Sequence, residues 1–274
     1  MNEAKNEPKG TGMERIKAAA QTLTELRHTG RFIARLPDHC RPQSTDDALK
    51  IHERTIKIMG EVGGYKCSVP RGERTAVVAP IFAATISSAG PYAVLPASPE
   101  SVDTARIEPE IAFVIGHDLP PRDTPYTERE IRAAIKETRL VLEILASRYN
   151  DSKAVPFVEQ LADCISNQGL FIGPVVTHDI DATLNEIPLT IERTDTTPAQ
   201  TVKTHHGHHP DGHPLLPLFW LANFQAARGM GLRAGQIVTT GSYAGAVDVP
   251  LNAPLRVVFG ELGEISVEFR ARQQ

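Results

Sequence analysis

At 274 residues the chain is long enough for one large domain, or a core with a small appendage, and can bury a substantial core without disulfides. Its three cysteines, Cys40, Cys67 and Cys164, are scattered and lack zinc-ligand spacing, which fits a reducing compartment. A net charge of -4 excludes a basic nucleic-acid footprint, no apolar run reaches the roughly 18 residues of a membrane span, and the polar N-terminus has no signal-peptide core, so the cytoplasm is expected.

Residues 1 to 12 are expected to be disordered. "MERIKAAAQTLTELRHTG" predicts an amphipathic helix ended by Gly30. "STDDALKIHERTIKIMGEVGG" predicts a second, with Ser44 or Thr45 near its cap and Gly60 near its end. Short apolar segments follow: "YKCSVP", "TAVVAPIFAATI" and "AVLPAS". Then "RIEPEIAFVIG", residues 106–116, alternates as a strand does. Ile107, Ile111, Phe113 and Ile115 share one face; Arg106, Glu108, Glu110, Ala112 and Val114 share the other. Two carboxylates so placed raise each other's pKa unless a cation neutralises them. The alternative is the solvated face of an edge strand, where Pro109 would be tolerated.

After a polar loop, Thr127 and Glu130 form a capping box ahead of Ile131, Ala134 and Ile135. "RLVLEILASRY" is a further apolar run that holds Glu143 between Leu142 and Ile144. A carboxylate there must be paired or coordinated, because an isolated one would protonate. "GLFIGPVV" and "LTIERT" read as strands, and "GHPLLPLFWLANFQAARG" as a helix with Pro214 in its first turn and Gly229 at its end. "LRVVFGELGEISVEF" reads as two strands across a turn. The pattern is strand-rich α+β, without βαβ regularity and without dinucleotide, P-loop or nucleophile-elbow motifs. The expected division is an N-terminal helical segment over 1–75 and a catalytic core over 76–274.

Glu108, Glu110 and Glu143 are hard oxygen donors, suited to Mg2+, Mn2+ or Ca2+ rather than zinc. With "GGYKCS", "RIEPEIAFVIGHDLP", "LEILASRYND", "FVEQLADCISNQG", "GHPLLPLFWLAN" and "GQIVTTG", the chain from about residue 45 onward resembles the fumarylacetoacetate hydrolase superfamily. The likeness is greatest to its 2-oxopent-4-enoate hydratase and 4-oxalocrotonate decarboxylase branch. It implies a mixed rolled β-sandwich with N-terminal and peripheral helices, a homo-oligomer, and a divalent metal on Glu108, Glu110 and Glu143. That metal would be Mg2+ or Mn2+, with Ca2+ able to replace it in a crystal.

The resemblance also marks Lys66 as the lysine of a G-x-K element, able to hold an enolate oxygen or shuttle a proton. A surface lysine after a helix is the alternative. Ser166 and Thr240 match polar positions that line the substrate site in relatives, and Gly241 adjoins the second. Ordinary strand-end hydroxyls would look the same. Arg148 is a candidate bidentate clamp for a carboxylate, or a cover for a helix or strand end.

Two positions depart from the branch. The aspartate of hydratase relatives falls near Val77, with Glu73 the nearest upstream acid, and Gln236 follows Gly235 where the branch has G-D. "HHGHHPDGH" holds His205, His206, His208, His209 and His213, and reads as a solvated loop, a pH-responsive loop or a second metal site. The implied activity is a metal-dependent lyase of aromatic catabolism. It would add water to a short 2-hydroxy-2,4-dienoate or 2-oxo-alkenoate to give a 4-hydroxy-2-oxoacid. Alternatives are a 4-oxalocrotonate-type decarboxylase, an acylpyruvate hydrolase (whose usual N-Y-x-x-H element is missing), or a metal-binding relative without turnover. The expected partner is a small oxoacid or dienoate, not nucleic acid or membrane.

Overall fold

The computed structural model describes residues 12–178 and 184–273, so the disorder expected over residues 1–12 lies outside the described residues except at Gly12, which is helical. The first two helices form as predicted, α1 at Gly12–Thr29 and α2 at Thr45–Met59. Ser44 caps α2 by accepting from the Asp47 N–H at 3.1 Å, and Gly60, at φ +93°, closes it by donating to Ile56 O. The two helices build a small core of their own with Leu36, Cys40, Tyr149 and Leu161. All three cysteines are free and buried.

The chain continues through β1 (Val62–Ser68), β2 (Val77–Phe82), β3 (Ile86–Ser87), β4 (Tyr92–Val94) and β5 (Thr104–Ile115). Next come α3 (Glu128–Ala134), β6 (Ile135–Leu145), α4 (Phe157–Ala162), β7 (Asn167–Val176), β8 (Glu186–Arg193) and β9 (Gln200–His208). The last elements are α5 (Leu215–Ala227), β10 (Ile237–Ser242), β11 (Val247–Pro250), β12 (Pro254–Phe259) and β13 (Glu264–Ala271). The larger sheet runs β2-β1-β10-β5-β6-β7-β3, with β11 also on β5; the smaller runs β4-β13-β12-β8-β9. Both are mixed, because β1 pairs β10, β3 pairs β7 and β4 pairs β13 in parallel.

The two sheets close on one core. Ile107, Ile111, Phe113 and Ile115 of β5 bury into it beside Leu255, Val257, Phe259 and Phe269 of the smaller sheet. Tyr92 sets its ring edge-on to Phe171 and to Phe269, both at 6.4 Å, and so ties the sheets together. The result is the expected α+β rolled sandwich with peripheral helices. Among the described residues, no helix is long and apolar enough to cross a membrane.

Several expectations change. A boundary at residue 75 would cut the larger sheet, since β1 lies before it yet sits between β2 and β10. β5 is a central strand and not an edge. α3 keeps its capping box but stops at Ala134, and Ile135 opens β6 by pairing with Ile115. The histidine run is not a loop: His205, His206 and His208 lie on β9, at the edge of the smaller sheet.

Candidate active site

The antiparallel register of β5 and β6 sets Glu108 directly opposite Glu143, and the two-residue period brings Glu110 to the same face as Glu108. Carboxylate oxygens of all three lie within 4.8 Å of one another. Pro109 is accommodated in a central strand because it faces the gap between β10, whose last pair is Ser242 with Glu110, and β11, which begins at Val247 with Ile107. Its carbonyl accepts from the Tyr243 N–H at 3.2 Å and from Ser242 Oγ at 3.1 Å, so its missing N–H faces the β10–β11 connection and not a regular ladder.

Lys66 reaches this cluster from β1. Its Nζ lies 2.8 Å from Glu143 Oε1 and 3.8 Å from Glu108 Oε2, and donates to Ile165 O at 3.3 Å. Burial disfavours the ammonium, but Glu143, Glu108 and Glu110 outweigh it and hold the lysine pKa above its ordinary value. Burial, and then the neighbouring carboxylates, push Glu110 well above the usual carboxylate range, against Lys66 and the Gly241 N–H, which donates to Glu110 Oε2 at 2.9 Å. Glu143 is raised too, chiefly by burial, while Lys66 and Asn167 stabilise its charged form. Asn167 Nδ2 donates to Glu143 Oε1 at 2.8 Å.

Glu143 Oε2 is buried and has no hydrogen-bond partner. Three carboxylates and one ammonium sum to -2, the charge that one divalent cation cancels. An orphaned buried carboxylate oxygen in an all-oxygen donor set is what a hard divalent ion would satisfy. The residues therefore fit such an ion.

The carbonyl that meets Lys66 comes from an unusual turn. Cys164, Ile165 and Ser166 all have positive φ, at 56°, 49° and 61°. Three successive non-glycine residues in the left-handed region are strained, most of all the β-branched Ile165. Arg148 holds the turn from below: its Nε donates to Asp163 Oδ1, its Nη2 to Asp163 O at 2.7 Å, and its backbone N–H to Asp163 Oδ2 at 3.0 Å. Arg148 is thus buried against Asp163 and is not a substrate clamp facing the cavity, because its donors are spent inside the protein. Ser166 sits on the turn, next to the carbonyl that receives Lys66.

A cavity of about 240 Å³ opens over the cluster, lined by Lys66, Ser68, Val77, Glu108, Glu110, Thr239 and Gly241 among others. Thr240 is fully buried and donates to Ile111 O at 3.4 Å; its neighbour Thr239 lines the cavity, with an unpartnered Oγ1. Gly241, at φ +127°, leaves room for Pro210, whose Cγ would lie 2.7 Å from an added Cβ. Val77 does face the cavity, whereas Glu73 lies exposed in the 71–74 turn. Gln236 is structural, donating to Val62 O and accepting from the Arg233 N–H. Asn167, Ser68 and Thr239 escaped the sequence reading. Asn167 carries a signal like that of Glu143, a polar residue in a largely apolar strand, here at its start.

Of the histidines, His208 pairs with Glu186 at the surface, His213 Nδ1 accepts from the Leu215 N–H at the start of α5, and His209 is buried. Among the described residues they form no group of three with metal-ligand geometry; the three glutamates do.

A carboxylate triad with a lysine, set over the larger sheet of a rolled mixed sandwich, gives a small cavity a donor set that could hold a divalent cation. The fumarylacetoacetate (FAA) hydrolase C-terminal family matches residues 60–271, and the chain belongs to that family. It is 29% identical over 266 residues to a 2-keto-4-pentenoate hydratase of Paraburkholderia xenovorans (strain LB400), covering 93% of this chain and 95% of the relative. To a 2-hydroxyhexa-2,4-dienoate hydratase of Comamonas testosteroni it is 26% identical over 265 residues, covering 93% and 97%. Its fold matches the solved 4-oxalocrotonate decarboxylase of Pseudomonas putida G7, complexed with magnesium and adipate, at a TM-score of 0.73 and 20% identity, covering 94% and 98%.

Proposed function

We propose that the protein is a divalent-metal-dependent hydratase of short 2-hydroxy-2,4-dienoates, forming 4-hydroxy-2-oxoacids. The observation that carries this reading is the convergence of Glu108, Glu110 and Glu143 with Lys66 at one small cavity. Hydratase relatives that align along 93% of the chain support it. At about 240 Å³ the cavity is smaller than the roughly 300–1,000 Å³ of drug-sized pockets, which suits an acid of five or six carbons.

Glu108, Glu110 and Glu143 would hold the cation, which would supply Lewis-acid polarisation of the substrate's C2 oxygen. Mg2+ or Mn2+ both suit the oxygen donor set. Gly241 N–H and Asn167 orient Glu110 and Glu143. Lys66 balances the remaining negative charge and is placed to hold an enolate oxygen or to move a proton. The dienol is ketonised by protonation at C5, and water then adds at C4. A homo-oligomer working in the cytoplasm belongs to the same reading.

A second reading, decarboxylation of a 4-oxalocrotonate-type acid, draws on Val77, an apolar side chain in the cavity where hydration needs a group to steer water. NMR of the protein with Mg2+ and a panel of dienols, oxalocrotonate and acylpyruvates separates the outcomes. Water addition supports the hydratase, loss of CO2 the decarboxylase, and chain cleavage would overturn both.

A further inference from the structure

We propose that Ser68 is a hydrogen-bond acceptor that selects a hydroxyl group or a water molecule in the cavity, and that Asp211 fixes it in that role. This deepens the reading of the same site and rests on it for the class of ligand. β1 turns Lys66 and Ser68 out on one face, two residues apart, and both line the cavity. The cross-strand partner of Ser68 is Val77, which lines the cavity too and offers no polar atom.

Two other polar groups at the cavity are committed elsewhere. Lys66 is held by Glu143, Glu108 and Ile165 O, and Ser242 Oγ is within 3.1 Å of Pro109 O and 3.0 Å of Gly245 O. Ser68 differs. Its Oγ donates to Asp211 Oδ2 at 2.9 Å, and that carboxylate is itself locked in place. Asp211 Oδ2 also accepts from the Val69 N–H at 3.0 Å, Oδ1 accepts from Arg71 Nη2 at 2.8 Å, and the Asp211 N–H donates to His209 Nδ1 at 3.2 Å. The Asp211 side chain is 1% exposed.

A serine hydroxyl has one hydrogen, and an ionised carboxylate only accepts. With that hydrogen directed at Asp211, Ser68 shows the cavity lone pairs alone. A ligand O–H or a water satisfies them; a ketone or carboxylate oxygen is turned away. Thr239, with an unpartnered hydroxyl free to rotate, makes no such distinction. Ser68 and Lys66 thereby divide the cavity into an end that takes anionic oxygen and an end that takes a hydroxyl.

Calorimetry on the full-length Mg2+-loaded protein tests this with three ligands that differ at C4: 4-hydroxy-2-oxopentanoate, 2-oxopentanoate and 2,4-dioxopentanoate. The hydroxylated acid should bind about fivefold to tenfold more tightly than 2-oxopentanoate. Ser68→Ala should bring the two within about twofold of each other while Mg2+ affinity stays unchanged. Asp211→Ala removes the acceptor, lets the Ser68 hydrogen swing toward the cavity and should raise the relative affinity for 2,4-dioxopentanoate; if that variant fails to fold, Ser68→Ala decides alone. Equal binding of the first two ligands by the unmodified protein, or an undiminished preference in Ser68→Ala, overturns the proposal. Because the readout is binding, a preference that persists in a protein turning over no dienoate supports this inference and sinks only the hydratase reading.

Discussion

Glu108 and Glu143 are cross-strand partners on β5 and β6, one partly exposed to the cavity and the other fully buried beneath it. Such a pair in a sheet interior repels at close range, and the single ammonium of Lys66 compensates only part of it. A bound divalent cation would relieve that repulsion. Substituting Glu143→Gln should therefore lower Mg2+ affinity by more than about 100-fold, and Asn167→Ala, which removes only its orienting donor, by about 10- to 100-fold. Isothermal titration of the metal-free protein with Mg2+ checks both, and wild-type affinity in Glu143→Gln would remove the metal site.

Lys66 makes a different prediction. Lys66→Met should leave metal binding in place and reduce turnover at least about tenfold, near 1.4 kcal/mol of transition-state stabilisation. Metal titration and steady-state kinetics on the same preparation separate the two effects. Unchanged kinetics would reduce Lys66 to a structural counter-charge.

Arg148 should behave as part of the framework. Removing one partner of a buried, hydrogen-bonded ion pair costs about 3–5 kcal/mol, so Arg148→Ala should lower the denaturant midpoint sharply. Turnover should fall with it, since the 164–166 turn that presents Ile165 O to Lys66 loses its support. Were Arg148 a carboxylate clamp, the variant would instead keep its stability and raise KM alone.

Stability should also fall in mild acid. His52 is buried in the helical core with its Nε2 on Leu161 O, and burial holds its pKa down at about 4 against an ordinary 6.5. The folded state keeps it neutral, while the unfolded chain takes up the proton as soon as pH drops below 6.5. Its contribution is thus fully present above pH 6.5 and lost progressively down to about pH 4, about 3 kcal/mol in all. His209, held at about 4 by burial as well, adds to the slope. Urea unfolding of the wild type and of His52→Gln between pH 7 and 4 should therefore diverge, with the variant less sensitive to acid.

Local signals explain which features were legible beforehand. The period-two alternation of residues 106–116 and a carboxylate inside an apolar run at 143 mark the metal triad without knowledge of pairing. The capped helices were equally plain, because their caps lie within four residues of the termini. What was hidden depends on distant partners. Pro109 sits in a central strand because β10, some 130 residues later, ends before reaching it and β11 takes over beyond it. Thr240 and Thr239 could not be told apart, since one residue of register moves a side chain to the other face. Arg148 looked available until Asp163 folded against it. The polar edge strand through His205 has no apolar alternation to reveal it. No spacing rule links Ser68 with Asp211, 143 residues apart.

Val77 gives the sharpest test of the reaction. It lines the cavity opposite Ser68, and among the described residues the only acids lining that cavity are Glu108 and Glu110, the proposed metal donors, while Glu73 is exposed in its turn. Steering of the attacking water then falls to Ser68 and Lys66, which orient it without a dedicated carboxylate base. A positioned general base typically contributes about 10²–10⁴-fold, so Val77→Asp should accelerate water addition by at least about tenfold, even allowing for imperfect placement. The new carboxylate also adds charge beside three others, so the gain should appear only with Mg2+ bound, and the metal-free variant should be less stable than the wild type. NMR in deuterated solvent follows both steps at once: deuterium entry at C5 reports ketonisation, and the C4 signal reports water addition. Ketonisation without hydration in wild type and variant alike would end the hydratase reading. Oxalocrotonate would then be the substrate to offer, with CO2 release as the measured product.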